Sequence, residues 1–381
     1  MKPILYGRQD ISEDDIRAVV EVLHSDWLTQ GPAIGHFEQA IADYCGAQYA
    51  VAVCNGTAAL HLACLAAGLG SGDLLWTSPN TFVASANCGR YCGAEVDFVD
   101  IDPDTLNLSP SALQQKLERS KTPPKALIPV HFAGQPCDMA EIGELARQRG
   151  IAVIEDAAHA LGASYRGDRI GSCAHSDMTV FSFHPVKSIT TGEGGMILTN
   201  RKDLYQRLQR LRSHGITRNP AEMADPGQGA WYYEQTELGF NYRITDIQAA
   251  LGMSQLKRLD EFVGRRRQLA ARYAERLAGL KLVLPEVAAD RDSAHHLYPI
   301  QVGLDNDRRH VFDALRAAGI LANVHYIPVH LHPYYRRLGF TEGDFPAAEA
   351  YYRQAISLPL HQQLSEPEQD RVVAVLQELL Q

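Results

Sequence analysis

A loop lysine and an aspartate behind an apolar run are the residues in this sequence best suited to chemistry. Lys187 lies between the run Thr179–Ser182 and the glycine-rich stretch 192–195. A buried lysine has a lowered pKa and can form Schiff bases as an amine nucleophile, although most lysines are simply exposed. Asp156 follows the apolar run Ile151–Ile154. A carboxylate there is costly unless a cation pairs with it, although it could also cap a helix.

Two turns supply further polar groups. Residues 55–58, Asn-Gly-Thr-Ala, follow the apolar run Tyr49–Cys54 and open a helical pattern. The free N–H groups at a helix N-terminus attract anions, phosphate above all, although a plain capped turn has the same sequence. The second turn, Gly239–Arg243, precedes a long helical stretch. Its Asn241 and Arg243 could contact an anion, or they could form a loop and a helix cap.

Taken together, these segments predict a site for pyridoxal phosphate (PLP). The cofactor needs a phosphate anchor, an acid at its pyridine nitrogen and a lysine at its aldehyde. The phosphate cradle, Asp156 and Lys187 occur in that order along the chain. The 31 residues from Asp156 to Lys187 leave room for one strand and its connections.

The elements that must position these residues follow a βα alternation. Short apolar runs separated by helical segments predict a mainly parallel sheet covered on both faces, in which ligands bind beyond the carboxyl ends of the strands. The predicted strands are Tyr49–Cys54, Leu74–Thr77, Glu95–Val99, Ala126–Val130, Ile151–Ile154, Thr179–Ser182 and Met196–Thr199, the last two close enough to pair as a hairpin. The predicted helices include Ser12–Leu23, capped by Ser12, and Phe37–Cys45, Ala58–Leu69 and Ala140–Arg149.

The pattern changes after about residue 245. A long helical stretch, Asp246–Leu280, is followed by the apolar run His296–Val302, a helix at Arg309–Ala318, the run Val324–Pro328 and a helix at Pro367–Leu380. We therefore predict a large α/β domain over residues 1–245, which carries the cofactor, and a smaller α+β domain over residues 246–381.

Composition excludes several other classes of protein. Asp and Glu outnumber Lys and Arg by 45 to 36, and the net charge of −9 disfavours general affinity for nucleic acid. Seven cysteines without a CxxC pair make a zinc site or a disulfide framework improbable, so we expect no metal and free thiols in a reducing compartment. The first residues become acidic too early for a signal peptide, and the most apolar stretch, Ala47–Gly70, is a poor membrane span. We expect a cytoplasmic protein without membrane contact.

Five motifs resemble the DegT/StrS family of nucleotide-sugar aminotransferases, from about Leu28 to Leu360. They are NGTAALHL at 55–62, HFAGQPCDM at 131–139, EDAAHALG at 155–162, FSFHPVKSITTGEGG at 181–195 and GFNYRITDIQAALG at 239–252. The resemblance implies PLP fold type I, the aspartate aminotransferase fold, with a large mainly parallel sheet domain and a smaller C-terminal α+β domain.

The resemblance also implies roles for individual residues. Lys187 would bind PLP covalently and then move a proton on the substrate. Asp156 would pair with the pyridine nitrogen. The backbone of Gly56, Thr57 and Ala58 and the hydroxyl of Ser182 would hold the phosphate, Phe82 would cover the pyridine face, and His159 would lie beside the ring hydroxyl. Thr29, His325, Tyr326 and His330 occupy positions where the family binds the sugar, although these histidines could simply be polar surface.

Asn241 resembles a residue that reaches the phosphate from the neighbouring subunit. The resemblance therefore implies a homodimer with shared active sites.

Three features, LTQG at 28–31, FHPVKSITTGEGG at 183–195 and VHYIPVH at 324–330, indicate one branch of the family. That branch uses L-glutamate to aminate a UDP-4-keto-6-deoxy-N-acetylhexosamine in pseudaminic acid biosynthesis, giving UDP-4-amino-4,6-dideoxy-N-acetyl-β-L-altrosamine. The same chemistry on another nucleotide 4-keto sugar, such as the UDP-4-keto-pentose of lipid A modification, is the first alternative. The second is a PLP-binding regulator without turnover, and the third is a non-enzymatic scaffold.

Overall fold

A computed structural model describes residues 2–303 and 307–380 and shows helices and strands in alternation. The strands are β1 (Ile4–Leu5), β2 (Tyr49–Val53), β3 (Leu74–Thr77), β4 (Glu95–Phe98), β5 (Ala126–Ile128), β6 (Ala152–Asp156), β7 (Ser164–Tyr165), β8 (Asp168–Arg169), β9 (Met178–Ser182), β10 (Gly195–Thr199), β11 (Ile216–Thr217), β12 (Glu234–Gln235), β13 (Leu282–Val283), β14 (Arg291–Asp292), β15 (Tyr298–Val302), β16 (Ile320–Leu321) and β17 (Ala355–Leu358). The helices are α1 (Glu13–Leu23), α2 (Pro32–Cys45), α3 (Gly56–Ala66), α4 (Ala84–Tyr91), α5 (Pro110–Arg119), α6 (Met139–Arg147), α7 (Lys202–Arg212), α8 (Asp246–Leu256), α9 (Leu259–Leu277), α10 (Arg308–Ala317), α11 (Pro333–Arg336), α12 (Pro346–Gln354) and α13 (Glu366–Leu380).

A seven-stranded sheet in the order β2-β10-β9-β6-β5-β3-β4 forms the centre of the molecule. All neighbours from β9 to β4 are parallel, and β10 runs antiparallel to both β2 and β9. The predicted mainly parallel sheet and the β9–β10 hairpin are therefore confirmed. Since β2, β6 and β9 run in the same direction, their carboxyl ends meet at one edge of the sheet, where a ligand is expected.

Apolar layers cover both faces of this sheet. One layer contains Phe37, Trp76 and Phe181, and the other contains Leu62, Phe98 and Val180. Neighbouring strand residues enter opposite layers because successive side chains point to opposite faces. Buried on both faces, the strands have the continuous apolar sequences from which they were predicted.

A second apolar cluster lies in the later part of the chain. It joins α9, α10 and α13 to the three-stranded sheet β13-β15-β17. The first described strand also belongs here, because Ile4 pairs with Ile320 in parallel and is buried in the same cluster. Conversely, Ala249 and Phe262 lie in the core of the large sheet. The division at residue 245 stays a prediction, and these contacts cross it in both directions.

Some helices begin at a side-chain cap, whereas others, such as α7 at Arg201, have none. Ser12 caps α1 in a capping box with Asp15, as its sequence predicts. The predicted stretch Asp246–Leu280 is two helices, because the backbone leaves the helical region at Arg258 between α8 and α9. The run Val324–Pro328 forms a loop rather than a strand.

None of the helices in the two described ranges is long and apolar enough to cross a membrane.

Candidate active site

A cavity of about 1060 Å³ lies at the edge of the sheet where β2, β6 and β9 end. Its walls come from the turn after β2, the loop before α4, the ends of β6 and β9, and the loop that leads from β16. Ten predicted site residues line it, namely Gly56, Thr57, Ala58, Phe82, Asp156, His159, Ser182, Lys187, His325 and Tyr326. The fold thus brings together residues that are up to 270 positions apart in the sequence.

The turn after β2 offers backbone N–H groups to an anion. Asn55 caps α3 by accepting a hydrogen bond from the Ala58 N–H at 2.8 Å. The N–H groups of Gly56 and Thr57 precede it in the first turn, where a helix has no internal acceptor for them. A Cβ at Gly56 would come within 2.9 Å of the Ser182 Cβ, so only glycine allows the turn to approach this serine so closely. The first turn of α3 and the Ser182 hydroxyl together offer a cradle of donors that suits an anion such as phosphate, called the phosphate cradle below.

Lys187 is held by a hydrogen-bonded loop between β9 and β10. The backbone N–H of Lys187 donates to the His184 carbonyl, and the Thr190 hydroxyl donates to the Phe183 carbonyl at 2.9 Å. Burial lowers the pKa of the Lys187 amine to about 8, against the opposing effect of the Asp156 charge. A larger fraction of this amine is therefore uncharged near neutral pH than in an exposed lysine, and the uncharged form is the nucleophile.

Asp156 ends β6 as a buried carboxylate with a fixed orientation. Its Oδ1 accepts the Ala158 N–H at 3.1 Å, and its Oδ2 accepts the Ser85 hydroxyl at 2.6 Å. The Lys187 amine supplies the nearby positive charge that a buried carboxylate requires. Asp156 can therefore serve as the anionic partner of a protonated ring nitrogen.

Two aromatic side chains, Tyr326 and His159, line the same cavity as Asp156. Burial raises the pKa of Tyr326 and lowers that of His159, which the positive charge of Lys187 lowers further. The Tyr326 hydroxyl and the His159 Nε2 are 3.3 Å apart. When the tyrosine donates to Nε2, the hydrogen of the neutral ring is on Nδ1, a buried atom without a hydrogen-bond partner among the described residues. This free donor suits an oxygen acceptor on a bound ligand.

Three predicted site residues do not line this cavity. Asn241 and Thr29 are both exposed, and each forms an isolated bridge, Asn241 with Ser213 and Thr29 with Thr245. His330 is fully buried, and its Nε2 is 3.0 Å from the Glu349 carboxylate. The structure therefore does not support the predicted contact between His330 and a sugar, because the side chain faces the packing around Glu349.

The cavity also contains residues that the sequence analysis did not single out. His61 on α3 lines it one turn after Thr57, and its Nδ1 is 3.3 Å from the Tyr242 hydroxyl. The sequence did contain a signal for His61. The residue falls within the NGTAALHL motif, four positions after Thr57 and therefore on the same face of the helix. Tyr6 and Asn323 come from segments far away in the sequence, and no local pattern indicates them.

The residues present fit PLP on four observations. The cradle of Gly56 and Ser182 is too close for any side chain and matches a phosphate group. The Lys187 amine, with its pKa lowered to about 8, and the Asp156 carboxylate line the same cavity. The unpartnered Nδ1 of His159 matches a ring oxygen. Phe82, 58% exposed at the cavity wall, has a ring face free to cover a bound ring.

No group of three or more His, Cys, Asp or Glu side chains with the arrangement of a metal site occurs within residues 2–303 and 307–380.

Comparison with known proteins supports the same chemistry. The model of the DegT/DnrJ/EryC1/StrS aminotransferase family matches residues 9–377. GDP-perosamine synthase of Caulobacter vibrioides is 42% identical over 98% of this chain and 96% of its own. The UDP-4-amino-4,6-dideoxy-N-acetyl-β-L-altrosamine transaminase of Campylobacter jejuni is 36% identical over 95% and 93% of the two chains. The PLP form of Spr1654 from Streptococcus pneumoniae superposes with a TM-score of 0.90 at 31% identity, covering 100% of both chains.

Proposed function

Because the chain belongs to the DegT/DnrJ/EryC1/StrS aminotransferase family, we propose that it aminates C4 of a UDP-linked 4-keto-6-deoxy-N-acetylhexosamine with L-glutamate as donor. The chain is a PLP-dependent sugar aminotransferase, since its family and its solved neighbours share that activity and that cofactor. The observation that carries the proposal is the meeting of Lys187, Asp156 and the phosphate cradle in one cavity.

The proposed role of each residue follows from its position in the cavity. When bound, PLP withdraws electrons from the carbon that carries the amino group and so makes its proton acidic. The proposed role of Lys187 is to bind the cofactor and then, as a free amine with a lowered pKa, to take and return that proton. Asp156 stabilises positive charge at the ring nitrogen, and the first turn of α3 with Ser182 anchors the phosphate.

The proposed sugar site is the side of the cavity formed by residues 323–327. His325 is held on both ring nitrogens, with Nδ1 2.8 Å from the Ser357 hydroxyl and Nε2 3.3 Å from the Asn323 amide. Burial lowers the pKa of His325 to about 4, so the ring is neutral near pH 7. With both ring nitrogens engaged, His325 positions the Asn323 amide rather than binding the ligand itself. The Asn323 amide and the Tyr326 phenol can bind sugar hydroxyls without a fixed charge, which supports a neutral sugar ring in this part of the cavity.

A second candidate substrate differs in its nucleotide and has a specific observation in its favour. The altrosamine transaminase of Campylobacter jejuni has a UDP-linked product by its name, whereas one relative with 42% identity is a GDP-perosamine synthase. A GDP-linked 4-keto sugar is therefore the second proposed substrate.

A panel of 4-keto sugars tests the assignment. The purified enzyme with PLP and L-glutamate would be incubated with the UDP-linked hexosamine, its C5 epimer, a UDP-4-keto-pentose and a GDP-linked 4-keto sugar, and the products would be identified by mass. We expect the highest kcat/KM for a UDP-linked N-acetylhexosamine. A preference for the GDP-linked sugar would favour the second candidate. Transfer of the glutamate amino group to none of the four would contradict both.

A homodimer with shared sites completes the proposal. Asn241 is exposed and lies beside Tyr242, which lines this chain's own cavity. Apolar side chains nearby in the sequence are unusually exposed, among them Trp231 at 78% and Leu238 at 80%. Contiguous exposed apolar patches mark surfaces that another protein covers, and these side chains would contribute to such a patch. We infer that a second copy covers it and that Asn241 enters the partner's cavity.

A further inference from the structure

A pair of buried hydroxyl groups lies next to Asp156, and one of the two residues, Thr81, also belongs to the cavity wall. Ser85, in the first turn of α4, is fully buried, and its hydroxyl is 2.6 Å from the Asp156 Oδ2. The Thr81 hydroxyl, also buried, is 2.7 Å from the Ser85 hydroxyl. None of the sequence motifs that indicate the cofactor site explains either side chain.

The number of hydroxyl hydrogens fixes which group donates in each of these two hydrogen bonds. Ser85 has one hydroxyl hydrogen, and the Asp156 carboxylate is a stronger acceptor than the Phe82 carbonyl at 3.4 Å. The hydrogen of Ser85 is therefore committed to Asp156, so that Ser85 can only accept from Thr81. The result is a one-way relay in which Thr81 donates to Ser85 and Ser85 donates to Asp156.

The relay has a consequence for the proton opposite Asp156. A hydrogen bond to the charged form of a carboxylate stabilises that form. With Oδ1 fixed by the Ala158 N–H, the donation from Ser85 fixes Oδ2 and thus the orientation of the whole group. A carboxylate fixed in orientation through both oxygens directs its charge into the cavity, where it would favour a proton on the ring nitrogen of the bound cofactor.

We propose that Thr81 and Ser85 are positioning residues that hold Asp156 as an oriented carboxylate and thereby keep the cofactor's ring nitrogen protonated. The inference rests on the proposed role of Asp156. The inference also accounts for the position of Phe82, which lies between Thr81 and Ser85 in the sequence and lines the same cavity. One short segment then supplies both the ring that covers the cofactor and the relay that orients the acid at its nitrogen.

The test uses the intact enzyme with bound PLP and matched hydroxyl variants. Ser85→Ala breaks the relay at its contact with Asp156, and Thr81→Val breaks it one step earlier while keeping the shape of the side chain. Thr81→Ser keeps the hydroxyl. Thr77→Val is the structural control, because Thr77 is equally buried and its hydroxyl donates to the Ile128 carbonyl at 2.8 Å without contacting Asp156.

The readout that separates a positioning role from a structural one is the pH midpoint of the bound cofactor's visible absorbance. Loss of positive charge on the ring nitrogen makes the nitrogen joined to Lys187 more basic, so the midpoint should rise in Ser85→Ala and, less strongly, in Thr81→Val. It should stay at the wild-type value in Thr81→Ser and Thr77→Val. The glutamate half-reaction should slow about tenfold to a hundredfold in Ser85→Ala, the range for loss of a hydrogen bond to a charged group.

Asp156→Asn distinguishes failure of the relay from failure of the role of Asp156. If Asp156→Asn raises the midpoint while Ser85→Ala and Thr81→Val leave it unchanged, the relay is refuted and the role of Asp156 stands. If Asp156→Asn also leaves the midpoint unchanged, both are refuted. Should Ser85→Ala not fold, the comparison of Thr81→Val with Thr81→Ser decides the question alone.

Discussion

At the scale of single residues, Lys187 makes the most direct prediction. Because burial lowers the pKa of its amine to about 8, the cofactor-free protein should capture PLP faster as the pH rises, about tenfold per pH unit below pH 8, and level off above it. Stopped-flow absorbance measures this rate, with a free lysine derivative as the reference for the pH dependence of PLP itself. Lys187→Ala should fold and develop no covalent band. A rate that keeps rising towards pH 10 would contradict the lowered pKa.

The residue scale also shows what sequence can reveal about a site. Asp156 is predictable because a charged group at the end of an apolar run needs a reason to be there. Lys187 is predictable because it lies between a strand and a glycine-rich stretch, at the same edge of the sheet. His330 has the same polar sequence context as His325, yet it pairs with Glu349 while His325 lines the cavity. The partner that distinguishes them lies 19 positions away on α12, and only the folded chain brings it near.

At the scale of elements, the close contact between β10 and the phosphate turn gives a prediction. A Cβ at Gly195 would come within 2.5 Å of the Asn55 carbonyl oxygen and 2.9 Å of the Gly56 nitrogen. Gly195→Ala must therefore move the turn, and we expect about 1–3 kcal/mol of lost stability and at least tenfold weaker PLP binding. Urea unfolding and fluorescence titration with PLP measure the two effects.

Gly35 provides the matched control for that substitution. It lies exposed on α2, where a Cβ would meet nothing within 4 Å, and its backbone is helical. Gly35→Ala should gain about 0.5–1 kcal/mol and leave PLP affinity unchanged. Equal losses of affinity in both variants would show that the approach of Gly195 to Asn55 does not shape the cradle.

Element boundaries were predictable where a physical signal ends them. Leu74–Thr77 has the observed bounds of β3, because charged and glycine residues precede the apolar run and a serine and a proline follow it. The break between α8 and α9 was missed because Lys257 and Arg258 are themselves good helix formers. Strands of two residues, such as β1 and β7, are too short for any periodicity to indicate them.

At the scale of the whole molecule, the proposed shared site predicts recovery of activity on subunit exchange. Lys187→Ala and Asn241→Asp subunits should each be poorly active alone, the second because a carboxylate would face the cofactor phosphate. A mixed dimer has one site with both changes and one with neither, so it should regain about half of the wild-type activity per dimer. Mixing each variant with itself is the control. A fully active monomer, or no recovery after verified exchange, would contradict the shared site.

Buried histidines predict sensitivity to mild acid. Burial lowers the pKa of His295, His325 and His361 to about 4, whereas the unfolded chain takes up protons at these residues below about pH 6.5. Their contribution to stability is therefore complete above pH 6.5 and is lost as the pH falls towards 4, each by up to about 1.4 kcal/mol per pH unit. Urea unfolding between pH 7.5 and 4.5 should show this decline, and His361→Gln should flatten it. Constant stability across that window would refute it.

The position of β10 has a consequence for the order in which the protein folds. β2 carries the phosphate turn, yet its partner in the sheet is β10, and Val53 pairs with Gly195 across 142 residues of chain. Contacts so distant in sequence close late, because the entropy of a long loop must be overcome first. The strand that begins the sheet in sequence is thus among the last to join it. During synthesis the cradle has no Gly195 beside it until more than half of the chain exists, so the nascent protein cannot hold its cofactor before that point.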